Sequence, residues 1–72
     1  MNDMIKALKK KYEAEVDVAK ATTHVYLTKP VGIGEHPQIA EEIDKLLEAI
    51  SCACDKIRVI DKYYPDEDDI PF

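Results

Sequence analysis

The chain has 72 residues and a formal net charge of -5, from 10 basic and 15 acidic side chains, with no tryptophan and a single phenylalanine. That length allows one domain at most, and a core too small to be comfortably stable without a staple or a partner chain. The negative balance argues against a primary role on nucleic-acid phosphates or anionic lipid. The distribution of charge says more than the total. Four acids stand together at Asp66, Glu67, Asp68 and Asp69, which leaves 11 acidic against 10 basic groups, a net of -1, for residues 1–65.

The opening stretch MNDMIKALKKKYEAE is charged from its third residue and lacks the apolar run of a signal peptide. No other segment is long and apolar enough to span a bilayer. A cytoplasmic protein that does not engage a membrane is expected. Residues 3–28 are predicted as the first helix, with Asn2 or Asp3 as N-cap. Ile5, Leu8, Tyr12, Val16, Ala19, Thr23 and Leu27 recur at spacings of 3 and 4, and Ala14, Val18, Ala21 and Val25 form a second stripe beside them. The segment TTHVYLT near the end is rich in β-branched and aromatic residues and has the propensity of a strand. Nothing else in the chain reads as a strand for it to pair with, so the helix is expected to continue through it.

Lys9, Lys10 and Lys11 form the one basic cluster. Three readings are open: a solvated helix face, an anion site for nucleotide or nucleic acid, or a contact for the acidic C-terminal segment. The last follows from an antiparallel hairpin, which returns the end of the second helix to the start of the first, and the attraction would be weakened by salt.

Residues 29–37, KPVGIGEHP, read as a helix-to-helix connection slightly longer than is usual in bundles. Val31 and Ile33 are expected to fold back on the end of the hairpin. Gly32 and Gly34 lack the strand, third glycine and lysine of a phosphate-binding loop. His24 and His36 lie at opposite ends of the loop region with Glu35 nearby, but two histidines without a third ligand are commonly surface residues, so no metal is expected.

Residues 38–64 are predicted as the second helix. Its apolar residues, Ile39, Ile43, Leu46, Ile50, Ala53, Ile57, Ile60 and Tyr64, follow an unbroken 4-3-4-3-4-3-4 spacing, which is a heptad seam. Leu47, Ala40 and Cys54 widen the stripe on one side, and Ala49, Cys52 and Val59 on the other. Pro37, Glu41 and Glu42 suit the start of a helix, Lys56, Arg58 and Lys62 suit its end, and Pro65 stops it. Cys52 and Cys54 are two apart on this helix, so their side chains point to different sides. They can neither bridge each other nor share a metal, and are expected to be small core residues in a reducing compartment.

The predicted fold class is all-α: an antiparallel helical hairpin, coiled-coil-like, with a flexible acidic tail over residues 65–72. So wide an apolar face is expected to drive self-association, into a dimeric four-helix bundle or a larger ring. The sequence holds no metalloprotease or serine-hydrolase motif and no nucleophile paired with a base. The protein is read as non-enzymatic, with no cofactor.

The tail orders its residues as acids first, then Ile70, Pro71 and Phe72. A terminal phenylalanine would offer a ring and an α-carboxylate on one residue, for a pocket that buries the ring while a basic side chain pairs with the carboxylate. Burying the ring would contribute roughly 1.5–3 kcal/mol, and Ile70 adds a second apolar contact. Pro71 limits the conformations lost on docking.

This ending, DDIPF, closely resembles the acidic tip of bacterial single-stranded DNA-binding protein, with identity at Asp68, Asp69, Ile70, Pro71 and Phe72 and an acidic run extended by Asp66 and Glu67. The resemblance implies a docking peptide for genome-maintenance enzymes such as RecQ-type and PriA-type helicases, exonuclease I and the RecO mediator. Phe72 is the implied anchor, Pro71 and Ile70 pack beside it, and Asp68 and Asp69 meet basic residues. It covers the tail only. The body has no room for an OB-fold and no aromatic platform over a basic groove, so direct nucleic-acid binding is not expected. The connection together with EEIDKLLEAI resembles small uncharacterised helical-hairpin proteins of tailed phages, a likeness that implies no activity but suggests the cytoplasm of a bacterial host as the setting.

These residues lead to an expected adaptor or decoy that displays the tip to repair, replication or defence proteins as an inhibitor or a recruiter. The alternative is a structural bundle, or one that sequesters a small anion such as a signalling nucleotide through Lys9 to Lys11, Tyr12 and the connection. An acidic DNA mimic fits poorly, because the carboxylates are gathered at one end rather than spread along a face.

Overall fold

A computed structural model describes residues 3–28 and 38–65 of the chain. It contains two helices and, among the described residues, no strand: α1 spans Asp3–Thr28 and α2 spans Ile39–Tyr63. The predicted all-α helical hairpin is what forms. The expectations for Val31, Ile33, Gly32, Gly34, Glu35, His36 and Pro37, and for the tail residues Asp66 to Phe72, lie outside the described residues.

α1 remains helical through the segment with strand propensity, and its threonines find partners within the helix. The hydroxyls of Thr22, Thr23 and Thr28 donate to the carbonyls of Val18, Ala19 and His24 at 2.7–2.8 Å. Each bond satisfies the hydroxyl one turn back and removes the competition such side chains bring to a helix interior. α2 starts at Gln38, which gives no side-chain cap but accepts the Glu42 amide at 2.9 Å through its carbonyl. Glu41 and Glu42 face the positive end of the helix dipole and Lys62 the negative end. At the other terminus the Tyr64 amide donates to the Ile60 carbonyl at 2.8 Å, and Pro65 follows.

The helices run antiparallel. Lys9 near the start of α1 pairs with Asp61 near the end of α2 at 2.7 Å, and the Lys56 ammonium sits 5.0 Å from the centre of the Tyr12 ring. Further along, Ala14, Val18 and Ala19 border a groove with Leu46 and Ala49. The paired residue numbers sum to between about 60 and 70 throughout, the signature of one straight antiparallel register. At 100° per residue, Lys9 and Asp61 lie on one side of the shared seam and Lys56 on the other, so the two contacts clamp the hairpin from both flanks.

The core is slight. Among the described residues only Ala19, Ala53 and Ile60 are buried, at 5%, 2% and 6% exposure. Ile5, Leu8, Tyr12, Val16 and Thr23 of α1, and Ile39, Ile43, Leu46, Ile50 and Ile57 of α2, are half-buried around them. Small side chains at Ala19 and Ala53 let the two helices approach closely at mid-length.

The second α1 stripe of Ala14, Val18, Ala21 and Val25 and the flanking Ala40, Leu47, Ala49 and Val59 of α2 are exposed, and the predicted seams themselves differ from this core at Leu27, at Tyr64 and at the two cysteines beside them. Leu27 is 65% exposed, and Tyr26 takes the half-buried position instead. A second consecutive step of four residues after Ala19 to Thr23 carries the stripe another 40° round the helix, whereas a step of three brings it back. Tyr64 is 56% exposed, because the chain leaves helical geometry at this residue, which serves as the C-cap. Cys52 and Cys54 are exposed rather than core residues. Their 200° separation puts one on each flank of the seam, where a single neighbouring helix does not reach.

Candidate functional site

The open end of the hairpin, where α1 begins and α2 finishes, carries most of the chemistry of the described residues. Pro65, half-buried, leads from it into the acidic segment. An open cleft of about 640 Å³ lies here, lined by Ile5, Leu8, Tyr12, Val59, Ile60 and Tyr63 and bordered by Asp55 and by the more numerous Lys56, Arg58 and Lys62. The floor is apolar because the heptad seam of α2 runs past the first turns of α1. The border is basic because Lys56, Arg58 and Lys62 fall in the last two turns of α2, where the helix dipole favours cations.

These cations already have neighbours. Arg58 pairs with Asp55 at 2.9 Å, Lys62 lies 5.2 Å from the centre of the Tyr63 ring, and Lys56 covers Tyr12. Each is a solvated contact, worth at most about 1 kcal/mol. The cleft therefore combines three aromatic rings, an aliphatic floor and cationic groups that can exchange their present contacts for a ligand at small cost.

The lysine cluster is not one patch. Lys9 turns toward Asp61, Lys11 lies 4.0 Å from Glu15, and Lys10 is exposed between them. Consecutive helical residues diverge by 100°, so three adjacent lysines present three separate charges to solvent. His24 is exposed, and among the described residues no group of three or more His, Cys, Asp or Glu could hold a metal ion. Of the α2 seam residues, Ile39 to Ile60 line the contact with α1, as described above, while Tyr64 stands at the rim of the cleft.

The cleft itself is not apparent in the sequence, because its two walls lie some fifty residues apart. The signal that could have located it is the antiparallel register: once Lys9 is set against Asp61, the apolar Ile5 and Leu8 must fall beside Val59 and Tyr63. Among the described residues no helix is long and apolar enough to cross a membrane. No protein-family model matches the chain, and neither a curated protein nor a solved structure matches it.

Proposed function

We propose that the chain is a non-enzymatic adaptor or decoy that presents residues Asp66 to Phe72 to proteins that bind the tip of bacterial single-stranded DNA-binding protein. The observation that carries this reading is the order of residues in DEDDIPF on an otherwise near-neutral chain. Phe72 anchors in the receptor through its ring and α-carboxylate, Pro71 and Ile70 pack beside it, and the acids from Asp66 to Asp69 meet a basic rim. The helical body acts as a carrier. It associates with further copies of itself, and several tips on one oligomer gain avidity for a receptor that is multimeric or clustered. In a phage-infected cell such a protein either blocks a host helicase, nuclease or recombination mediator or brings one to phage DNA.

The reading requires a free carboxylate on Phe72. Deleting Phe72, or amidating it, abolishes binding to a purified tip receptor while leaving helicity unchanged. Binding that survives both changes contradicts the reading.

A second reading is favoured by one feature, the cleft of about 640 Å³ with Tyr12 and Tyr63 on its floor and Lys56 and Lys62 at its border. Its size is that of a small-molecule site, and rings beside ammonium groups suit a planar anion such as a nucleotide. In this reading the bundle sequesters the ligand. Removing residues 65–72 separates the two, since sequestration persists without the tail and tip display does not.

A further inference from the structure

The first helix carries a second seam that α2 does not cover. Met4, Lys11, Val18 and Val25 recur every seventh residue, and Ala7, Ala14 and Ala21 recur every seventh residue between them, giving a 3-4-3-4-3-4 spacing over α1. All seven are exposed, with Met4 at 69% and Val18 at 65%. This seam lies roughly 120° round α1 from the one that meets α2. On the same side of the hairpin α2 presents Ala49, Cys52, Val59 and Tyr63, all exposed. The opposite side of α1 carries Lys6, Lys9, Glu13, Asp17, Lys20 and His24. The hairpin thus has one side that is charged along α1 and one that carries the apolar heptad order of α1, with Glu15 of α1 and Lys45 and Lys56 of α2 exposed at its flanks.

We propose that a second copy of this chain covers the apolar side, its α1 running antiparallel to the first about Ala14. Three observations select that occupant. The order is that of a helix meeting a helix: alanine at alternate seam positions permits close approach of the backbones, and larger residues fill the positions between. A shallow apolar groove of about 500 Å³ lies at mid-length beside the proposed point of symmetry, bordered by Ala14, Val18, Leu46 and Ala49 with Lys11 and Glu15 at its edge, so the pairing about Ala14 brings two such grooves together. The seam holds a single charge, Lys11. A parallel pairing would stack Lys11 on Lys11, whereas the antiparallel one sets it against Val18 and Glu15 of the second copy, on the carboxylate side of its own 4.0 Å pair.

The area is sufficient. A helix of 26 residues is about 39 Å long, and two packed helices are about 20 Å wide, a footprint on the order of 800 Å². That equals what each partner buries in a standard stable interface, roughly 800 Å². The need is also present, since the hairpin leaves Met4, Val18, Leu27, Leu47, Tyr63 and Tyr64 more than half exposed. The pairing sets the two Pro65 residues roughly 35 Å apart at opposite ends of the four-helix unit.

This inference gives the self-association proposed above a face and a direction, and it does not depend on tip docking, so the test uses a chain lacking Phe72. Sedimentation equilibrium of that chain gives a dimer as the smallest folded unit. Val18→Lys, which sets a second ammonium against Lys11 of the other copy, weakens the dimer by about tenfold or more in dissociation constant, with loss of helicity if the hairpin depends on its partner, while Lys20→Glu on the charged side changes neither. In a Cys52→Ser, Cys54→Ser background, Ala14→Cys forms a disulfide-linked dimer on mild oxidation, as the close approach of like positions requires, and Lys20→Cys does not. A fully helical monomer at about 50 µM, a Val18→Lys chain that dimerises like the parent, or cross-linking that favours Lys20→Cys over Ala14→Cys would each overturn the proposal.

Discussion

Replacing Ile60 by alanine tests whether the small core is what holds the hairpin. Ile60 is 6% exposed and lies where α2 passes the start of α1, whereas Leu47 on α2 is 53% exposed. Both substitutions remove three carbons, so the same chemistry is lost from two environments. Three buried carbons at ~0.8 kcal/mol each give about 2.4 kcal/mol of transfer free energy. The usual cavity term is small here, since Ile60 also forms part of the wall of an open cleft that water can enter, which keeps the total near 2–3 kcal/mol, the low end for such substitutions. Leu47→Ala should cost less than about 1 kcal/mol. For a domain of this size each kcal/mol moves Tm by roughly 4–8 °C, so Ile60→Ala lowers it by about 10–20 °C and Leu47→Ala by a few degrees. Thermal melts followed by circular dichroism at equal protomer concentration read the difference, the concentration being fixed because association shifts Tm. Equal losses from the two substitutions would refute the assignment of Ile60, rather than the wider apolar stripe, to the core.

Other outcomes follow from single contacts. A double-mutant cycle on Lys9 and Asp61, whose side chains are 30% and 52% exposed, should give a coupling of about 0.2–1 kcal/mol that fades toward zero near 1 M salt; a larger, salt-independent coupling would mean the pair is shielded from solvent. Cys54 is exposed on the flank away from the Val18 seam, so it should react with an aromatic disulfide reagent in the native chain at close to the rate of a free thiol. Strong protection there would place an interface on the wrong side of the hairpin. Thr23→Val keeps the side-chain shape but removes the 2.7 Å bond to the Ala19 carbonyl. Because that carbonyl retains its place in the helix ladder, the change should alter Tm by no more than a few degrees, and a collapse of helicity would show that the hydroxyl is essential to the helix end.

Much of the body was legible because heptad spacing is a local property. Ile39, Ile43, Leu46, Ile50, Ala53, Ile57 and Ile60 announce their shared face from their own intervals, and that face meets α1. Spacing does not say where a seam ends, and Tyr64 continues the interval while the backbone has already left the helix. Nor does it distinguish steps of three and four once a stripe has drifted, which is why Tyr26 and not Leu27 faces α2. The width of an apolar stripe does not report its occupant either. Cys52, Cys54, Leu47 and Val59 look like core by residue type, yet one neighbouring helix covers only part of the arc they span. The cluster Lys9 to Lys11 reads as a patch in one dimension and becomes three separate charges in three. The cleft at the open end and the two-sidedness of the hairpin require the register between helices, which no local pattern contains.

The claim that matters most is that the residues from Asp66 to Phe72 are read by a receptor. It is tested by displacement of a fluorescent tip peptide of single-stranded DNA-binding protein from a purified nuclease or helicase that binds it, with the full chain and the Phe72-deleted chain as competitors. The account predicts that the full chain displaces the peptide and that the deleted chain, which loses the anchor ring and shifts the carboxylate, no longer does at the same concentrations, the ring alone being worth about 10- to 150-fold in affinity. Displacement by both chains with equal potency, or by neither, would contradict it.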